Sequence, residues 1–214
     1  MTAEMLAVER EALAVTLRAA GSGARTTIEG WTAADLAAHV VATEKHVGVP
    51  TFLGRQLVVR YGWRLNDTFR RPMELDRRWF ARRGFEWALR RIERDGPALL
   101  ARPTVLPVSL FEIFVHHEDV RRPNGLPRTS EPPALEPSIA WLLGYHRKLL
   151  GSTRLRVVLP DGPELWGGGR QRGATVRGEA PEVLLWLAGR REVADVAVEI
   201  DPDAARDAIR ILHV

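Results

Sequence analysis

A chain of 214 residues is long enough for one well-cored domain, or for one domain with a small companion. Its 45% hydrophobic and 27% charged residues are the proportions of an ordinary soluble protein, and no apolar run approaches the roughly 20 residues of a membrane span. Cysteine is absent, which excludes disulfides, thiolate metal sites and a cysteine nucleophile, and the net charge of +4 is nearly all arginine, with Lys45 and Lys148 the only lysines.

The first 150 residues read as helical. Leu6, Leu13, Leu17 and Ala20 keep to one stripe over residues 2–20, and Gly21 stops the run. A second helix is predicted from Thr32 to about His46, with Thr32 as N-cap and Asp35 at the third position, where a carboxylate favours the positive helix end. Phe52, Leu53, Leu57 and Val58 suggest a short helix before a loop around Asn66–Pro72. A long helix then runs from about Asp76 to Arg94, and another from about Val108 to Arg121. Past a proline-rich connector, a last helix covers about Ser138–Leu150.

From Gly151 the texture changes. Short strands are predicted at 154–159, at Glu164–Trp166 and at 174–178. A helix at 180–190, a strand at 196–200 and a closing helix capped by Asp201 follow. The expected organisation is α+β: a helical domain over 1–150 and a small α+β domain over 151–214.

The stretch Arg64–Arg94 is the densest in arginine, but Asp67, Glu74, Asp76, Glu86 and Glu93 interrupt it and no nucleic-acid motif accompanies it. It reads as a solvated helix face, so neither nucleic acid nor membrane is an expected partner. The opening residues carry acids and lack the basic-then-apolar order of a secretory leader, which makes a cytoplasmic protein the expectation.

The segment SLFEIFVHHEDVRR (109–122) carries the chemistry. Ser109, Glu112, His116 and Asp119 differ by three, four and three and so form one polar stripe, flanked by Leu110 and Phe114 on one side and by Phe111 and Val115 on the other. Buried carboxylates and imidazoles are costly unless paired or coordinated. Glu112 and His116, one turn apart, could present an oxygen and a nitrogen to one ion, as metal sites in bundles do. His39, beside Leu36 and Val40, is the best third candidate. Two histidines and a glutamate leave one position open, as in catalytic zinc sites, and Asp35 or Asp119 is placed to orient an imidazole. Each pattern taken alone also fits a hydrogen-bonded core histidine or a helix ion pair. His117, about 100° round the helix from His116, is read as a candidate catalytic or substrate-contacting group, and His46, two turns past His39, as lining the cavity mouth or meeting solvent.

GWTAADLAAHVV (30–41) and FEIFVHHEDVRR (111–122) resemble the actinobacterial mycothiol-dependent maleylpyruvate isomerase family of the DinB-like superfamily, and TVRGEAPEVLLWLAGR (175–190) is similar to that family's C-terminal domain. The HHEDVRR form is closest to a shorter metal-binding subgroup with no assigned reaction. The resemblance implies a DinB-like four-helix bundle followed by a small sterol-carrier-like domain. It also implies a divalent metal on His39, Glu112 and His116, with zinc first and nickel or manganese as alternatives, and mycothiol or a similar thiol as cosubstrate. Residues 48–75 match nothing in that pattern.

Two functions are then in view. One is a metal-dependent thiol S-transferase or isomerase acting on a small electrophile, with His117 or His46 as acid or base and Arg190 at a cleft or in a surface ion pair. The other is a metal-binding or sensing protein without turnover, whose C-terminal domain holds a ligand or partner. Either suits a monomer or a homodimer.

Overall fold

The computed structural model describes residues 2–46, 66–94, 96, 98–160 and 162–202, with backbone alone for 45–46, 66–73, 147–149 and 172. It is α+β, a helical domain and a small α+β domain, and the chain divides into two compact units, Met1–Pro133 and Ala134–Val214.

The first unit contains α1 (Ala3–Ala20), α2 (Ala33–His46), α3 (Asn66–Ala81), α4 (Phe85–Glu93), a short 3-10 turn at Ala98–Ala101 and α5 (Leu106–Arg121). Four of these close a ring. α1 packs on α4 and α5, α2 packs on the same two, and α3 lies along α2. The apolar stripes predicted from 3.6-residue spacing meet inside this ring: Leu13 and Leu17 of α1, Leu36 of α2, Leu89 and Ile92 of α4, and Leu110 and Phe114 of α5 are all fully buried. The cap expected at α2 is present and reciprocal. Asp35 N donates to Thr32 Oγ1 at 3.3 Å and Thr32 N donates to Asp35 Oδ2 at 3.1 Å.

Two expectations need correction in this unit. Asn66–Pro72, expected as a loop, lies within α3, which begins ten residues before the predicted start at Asp76. An interior proline removes one backbone donor and strains the turn, but it does not forbid a helix held elsewhere. The single helix expected over 76–94 is in fact two. Gly84, at φ 89°, breaks it between α3 and α4, a conformation that only glycine adopts without strain. The short helix expected around Phe52–Val58 lies outside the described residues.

In the second unit, α6 (Glu136–Leu150) precedes β1 (Thr153–Val158), β2 (Leu165–Gly168), β3 (Gln171–Arg177), α7 (Ala180–Leu187) and β4 (Ala197–Ile200). The strand order is β2-β1-β3-β4, with β1 parallel to β3 and the other pairs antiparallel. To reach the far side of β1, the chain leaving β2 must pass tightly against the start of that strand. The Gly167-Gly168-Gly169 run makes this possible, since a Cβ at Gly168 would lie 1.9 Å from the Thr153 carbonyl oxygen. Helix α6, counted with the helical domain in the sequence, packs on β2 and α7 within this unit, so the compact second unit starts at Ala134 rather than at 151. The closing helix expected after Asp201 lies mostly outside the described residues.

Helix α6 carries one costly group. His146 is fully buried and, among the described residues, neither ring nitrogen has a hydrogen-bond partner. Burial pushes its imidazole down to about 4. The native state thus keeps the ring neutral, while an unfolded chain protonates it near 6.5, so stability is complete above that pH and falls as pH drops toward 4. Between pH 7 and pH 5 we expect the wild type to lose about 2 kcal/mol from this residue. His146→Leu should abolish that loss with little cost at pH 7, as denaturant titrations at the two pH values would show.

Candidate metal centre

Helix α5 is buried nearly all round, from Leu106 to Val120. Its polar residues therefore need partners on every side, and the helix supplies two separate constellations.

The first is the stripe predicted from the sequence. His39, Glu112 and His116 converge: each offers a ligand atom, and these atoms all lie within 4.8 Å of one another. The His39 and His116 rings meet edge to face with centroids 5.0 Å apart, and Trp31 abuts His39 at the same separation. Trp31 is itself covered by the Arg77 guanidinium, 4.8 Å from its ring centroid, and Arg77 also pairs with Asp35 at the start of α2. Asp35 thus anchors the helix that presents His39, and among the described residues its hydrogen-bond partners are Thr32 and Arg77.

Asp119 is the carboxylate that orients a ring. His116 Nδ1 lies 3.0 Å from Asp119 Oδ2, and Asp119 Oδ1 accepts a hydrogen bond from Thr27 Oγ1. A carboxylate only accepts, so Nδ1 carries the proton and Nε2, 3.6 Å from Glu112 Oε2, is left to face the cluster. Burial would lower the proton affinity of His116, but Asp119 and Glu112 outweigh it and raise the group to about 9. An electron-rich pocket that draws a proton this strongly also suits a divalent cation, which would displace that proton.

The donor set passes the chemical test for such a cation. Two imidazoles and one carboxylate, without thiolate, suit zinc, and small side-chain rotations bring the separations toward the roughly 3.3 Å edge of a tetrahedron with bonds of about 2.0 Å. Asp119→Asn keeps the volume and weakens the orienting bond. We expect it to lower zinc affinity by about 10- to 100-fold, measured by competition with a chromophoric chelator.

The second constellation claims His117. Fully buried, it has Nδ1 2.7 Å from Glu9 Oε1 and Nε2 2.8 Å from Thr16 Oγ1, both on α1. Glu9 Oε2 receives Arg128 at 2.5 Å, and Arg128 reaches on to Glu118 at 2.6 Å. Glu118 also takes Arg121 at 2.7 Å and Arg122 at 2.6 Å. His117, expected as a catalytic or substrate-contacting group, has both ring nitrogens engaged in tying α5 to α1. The backbone of His46 ends α2, and its side chain is not described. Arg190 follows α7 and donates from Nη1 to the Ala188 carbonyl oxygen at 2.8 Å.

Beside the cluster is a cavity of about 20 Å³, lined by Glu44, Glu112 and His116 together with Val40, Leu100 and Ile113. No helix among the described residues is long and apolar enough to cross a membrane.

No sequence model of a known family matches the chain, and no curated protein matches it. Solved structures do. The crystal structure of the mycothiol-dependent maleylpyruvate isomerase aligns over 92% of this chain and 91% of that one, at 14% identity and a TM-score of 0.51. A histidine-to-alanine mutant of that isomerase aligns over the same shares at 14% identity and a TM-score of 0.54. At this identity the likeness establishes a shared fold.

Proposed function

We propose that this chain is a metal-dependent thiol S-transferase or isomerase acting on a small electrophilic molecule, with His39, Glu112 and His116 holding a divalent cation, zinc first, and a mycothiol-type thiol as cosubstrate. The observation that carries the reading is the convergence of two histidines and a glutamate from α2 and α5, in a chain without cysteine. The fold shared with a mycothiol-dependent isomerase supports it.

A bound cation would lower the pKa of an incoming thiol and hold the thiolate for attack on the electrophile. The protein's own part is positioning. Asp119 and Thr27 fix the tautomer and direction of His116, the Thr32–Asp35 cap and Arg77 set the start of α2, and Trp31 backs the His39 ring. Three protein ligands leave a fourth position for the thiol.

One observation favours the alternative, a metal-binding protein without turnover: among the described residues, the cavity beside Glu112 and His116 is only about 20 Å³. The test is a screen of zinc-loaded protein with mycothiol, bacillithiol-like and simple aminothiols against electrophiles that include maleylpyruvate. Thiol-dependent turnover that is lost in His116→Ala supports the enzyme. Stoichiometric zinc with no turnover under any thiol supports the binding protein.

A further inference from the structure

The corner where α3 turns into α4 carries an exposed surface that neither the metal cluster nor the α1–α5 ion-pair network uses. Leu75 is 66% exposed, the highest value for a large apolar side chain among the described residues, and Trp79, one turn further along α3, is 46% exposed. Residues four apart are neighbours on a helix, so the two form one apolar stripe in water. Trp79 is held in place from beneath and beside. Its ring meets Phe80 edge to face at 5.0 Å, and Phe80 stacks on Trp87 at 5.3 Å. The Arg83 guanidinium lies 4.2 Å from the Trp79 centroid and 5.3 Å from that of Trp87.

Around this stripe the charge is positive. Arg78, Arg82 and Arg83 are all exposed. By count, acids offset many of the arginines of this region; in space most of those acids are committed elsewhere. Glu74 is taken by Arg77 and Arg78, Glu93 by Arg18 of α1, and Asp76 is half-buried. Glu86 is the exposed acid left beside the turn, and among the described residues Arg82 and Arg83 pair with no carboxylate. An apolar stripe edged by guanidiniums suits a negative surface with an apolar layer beneath it. A second copy of this chain would bring the same positive charge to the contact. A protein partner needs about 800 Å² of matched surface on each side, of which two side chains supply a small part, whereas a bilayer needs no matched shape. An aliphatic Leu75 offers no platform for a nucleic-acid base.

We propose that the α3–α4 corner docks on an anionic phospholipid surface, with Leu75 and the rim of Trp79 entering the headgroup boundary and Arg82 and Arg83 meeting lipid phosphates. The contact is peripheral, since no helix among the described residues is long and apolar enough to cross a membrane. It holds with or without a metal on His39, Glu112 and His116.

Co-sedimentation of the full chain with vesicles tests it, using phosphatidylcholine alone and phosphatidylcholine mixed with phosphatidylglycerol. A basic group near an anionic bilayer contributes about fivefold in affinity, so binding to the mixed vesicles should be at least about tenfold tighter and should weaken between about 0.1 M and 0.5 M salt. Leu75→Glu and Arg82→Glu should each weaken it at least about tenfold. Both side chains are exposed, so thermal melts of the two variants should match the wild type. No binding to the mixed vesicles overturns the proposal. So does binding that both variants leave unchanged, which would put the lipid contact elsewhere on a chain of net charge +4. Capture of poly-glutamate or of an oligonucleotide in place of the vesicles also overturns it, in favour of an acidic protein or a nucleic acid.

Discussion

Glu118→Ala should destabilise the helical unit by about 3–5 kcal/mol, the cost of breaking a buried charge network from one side. The Glu118 side chain is 2% exposed and receives Arg121, Arg122 and Arg128. Removing it takes a carboxylate from three guanidiniums; Arg128 keeps Glu9, and Arg121 and Arg122, about one-fifth exposed, recover some hydration, which places the expected value toward the lower end. The pH dependence follows. Burial alone would raise the Glu118 carboxyl, but the neighbouring guanidiniums outweigh it and hold the group at about 2, below its ordinary 4.5. A carboxylate with a depressed native pKa stabilises fully above the unfolded value and loses that contribution as pH falls from about 4.5 to about 2. The wild type should therefore lose up to about 3 kcal/mol across that window that Glu118→Ala does not lose, as urea titrations at pH 5 and pH 2.5 would show.

Zinc should raise the stability of the wild type and leave Glu112→Ala and His116→Ala unmoved. A ligand that binds only the folded state stabilises by about 4 kcal/mol at a thousandfold excess over its Kd, and two remaining ligands hold zinc too weakly to reach that regime. Thermal melts with and without saturating zinc make the comparison. A zinc-dependent shift in the wild type that survives in both variants would place the metal elsewhere in the chain.

Much of this architecture is legible in the sequence, and the exceptions have physical reasons. Helices α1, α2 and α5 follow from apolar spacing and from the Thr32–Asp35 cap, because those signals are local. The meeting of His39 with Glu112 and His116 could be anticipated because Glu112 and His116 share a helix face and His39 sits in an apolar run. What could not be read was what each helix would pack against. An amphipathic α6 carries no mark of whether it covers a sheet or joins a bundle, and it covers β2. The partners of His117 lie some hundred residues away on α1, a separation that spacing along one helix does not show. A signal did exist. Glu9, Arg10 and Thr16 fall on the same helical stripe as Leu6, Leu13 and Leu17, and polar residues on an inward stripe require buried partners. Glu44 carries the same signal, one turn beyond Val40 on the inner face of α2.

The most direct test of the central claim is the metal content of untagged protein by elemental analysis. About one divalent ion per chain is expected, absent from His116→Ala and Glu112→Ala. Wild-type protein that holds no metal even after zinc is added back would contradict it, and would leave His39, Glu112 and His116 as a hydrogen-bonded polar cluster in a helical core.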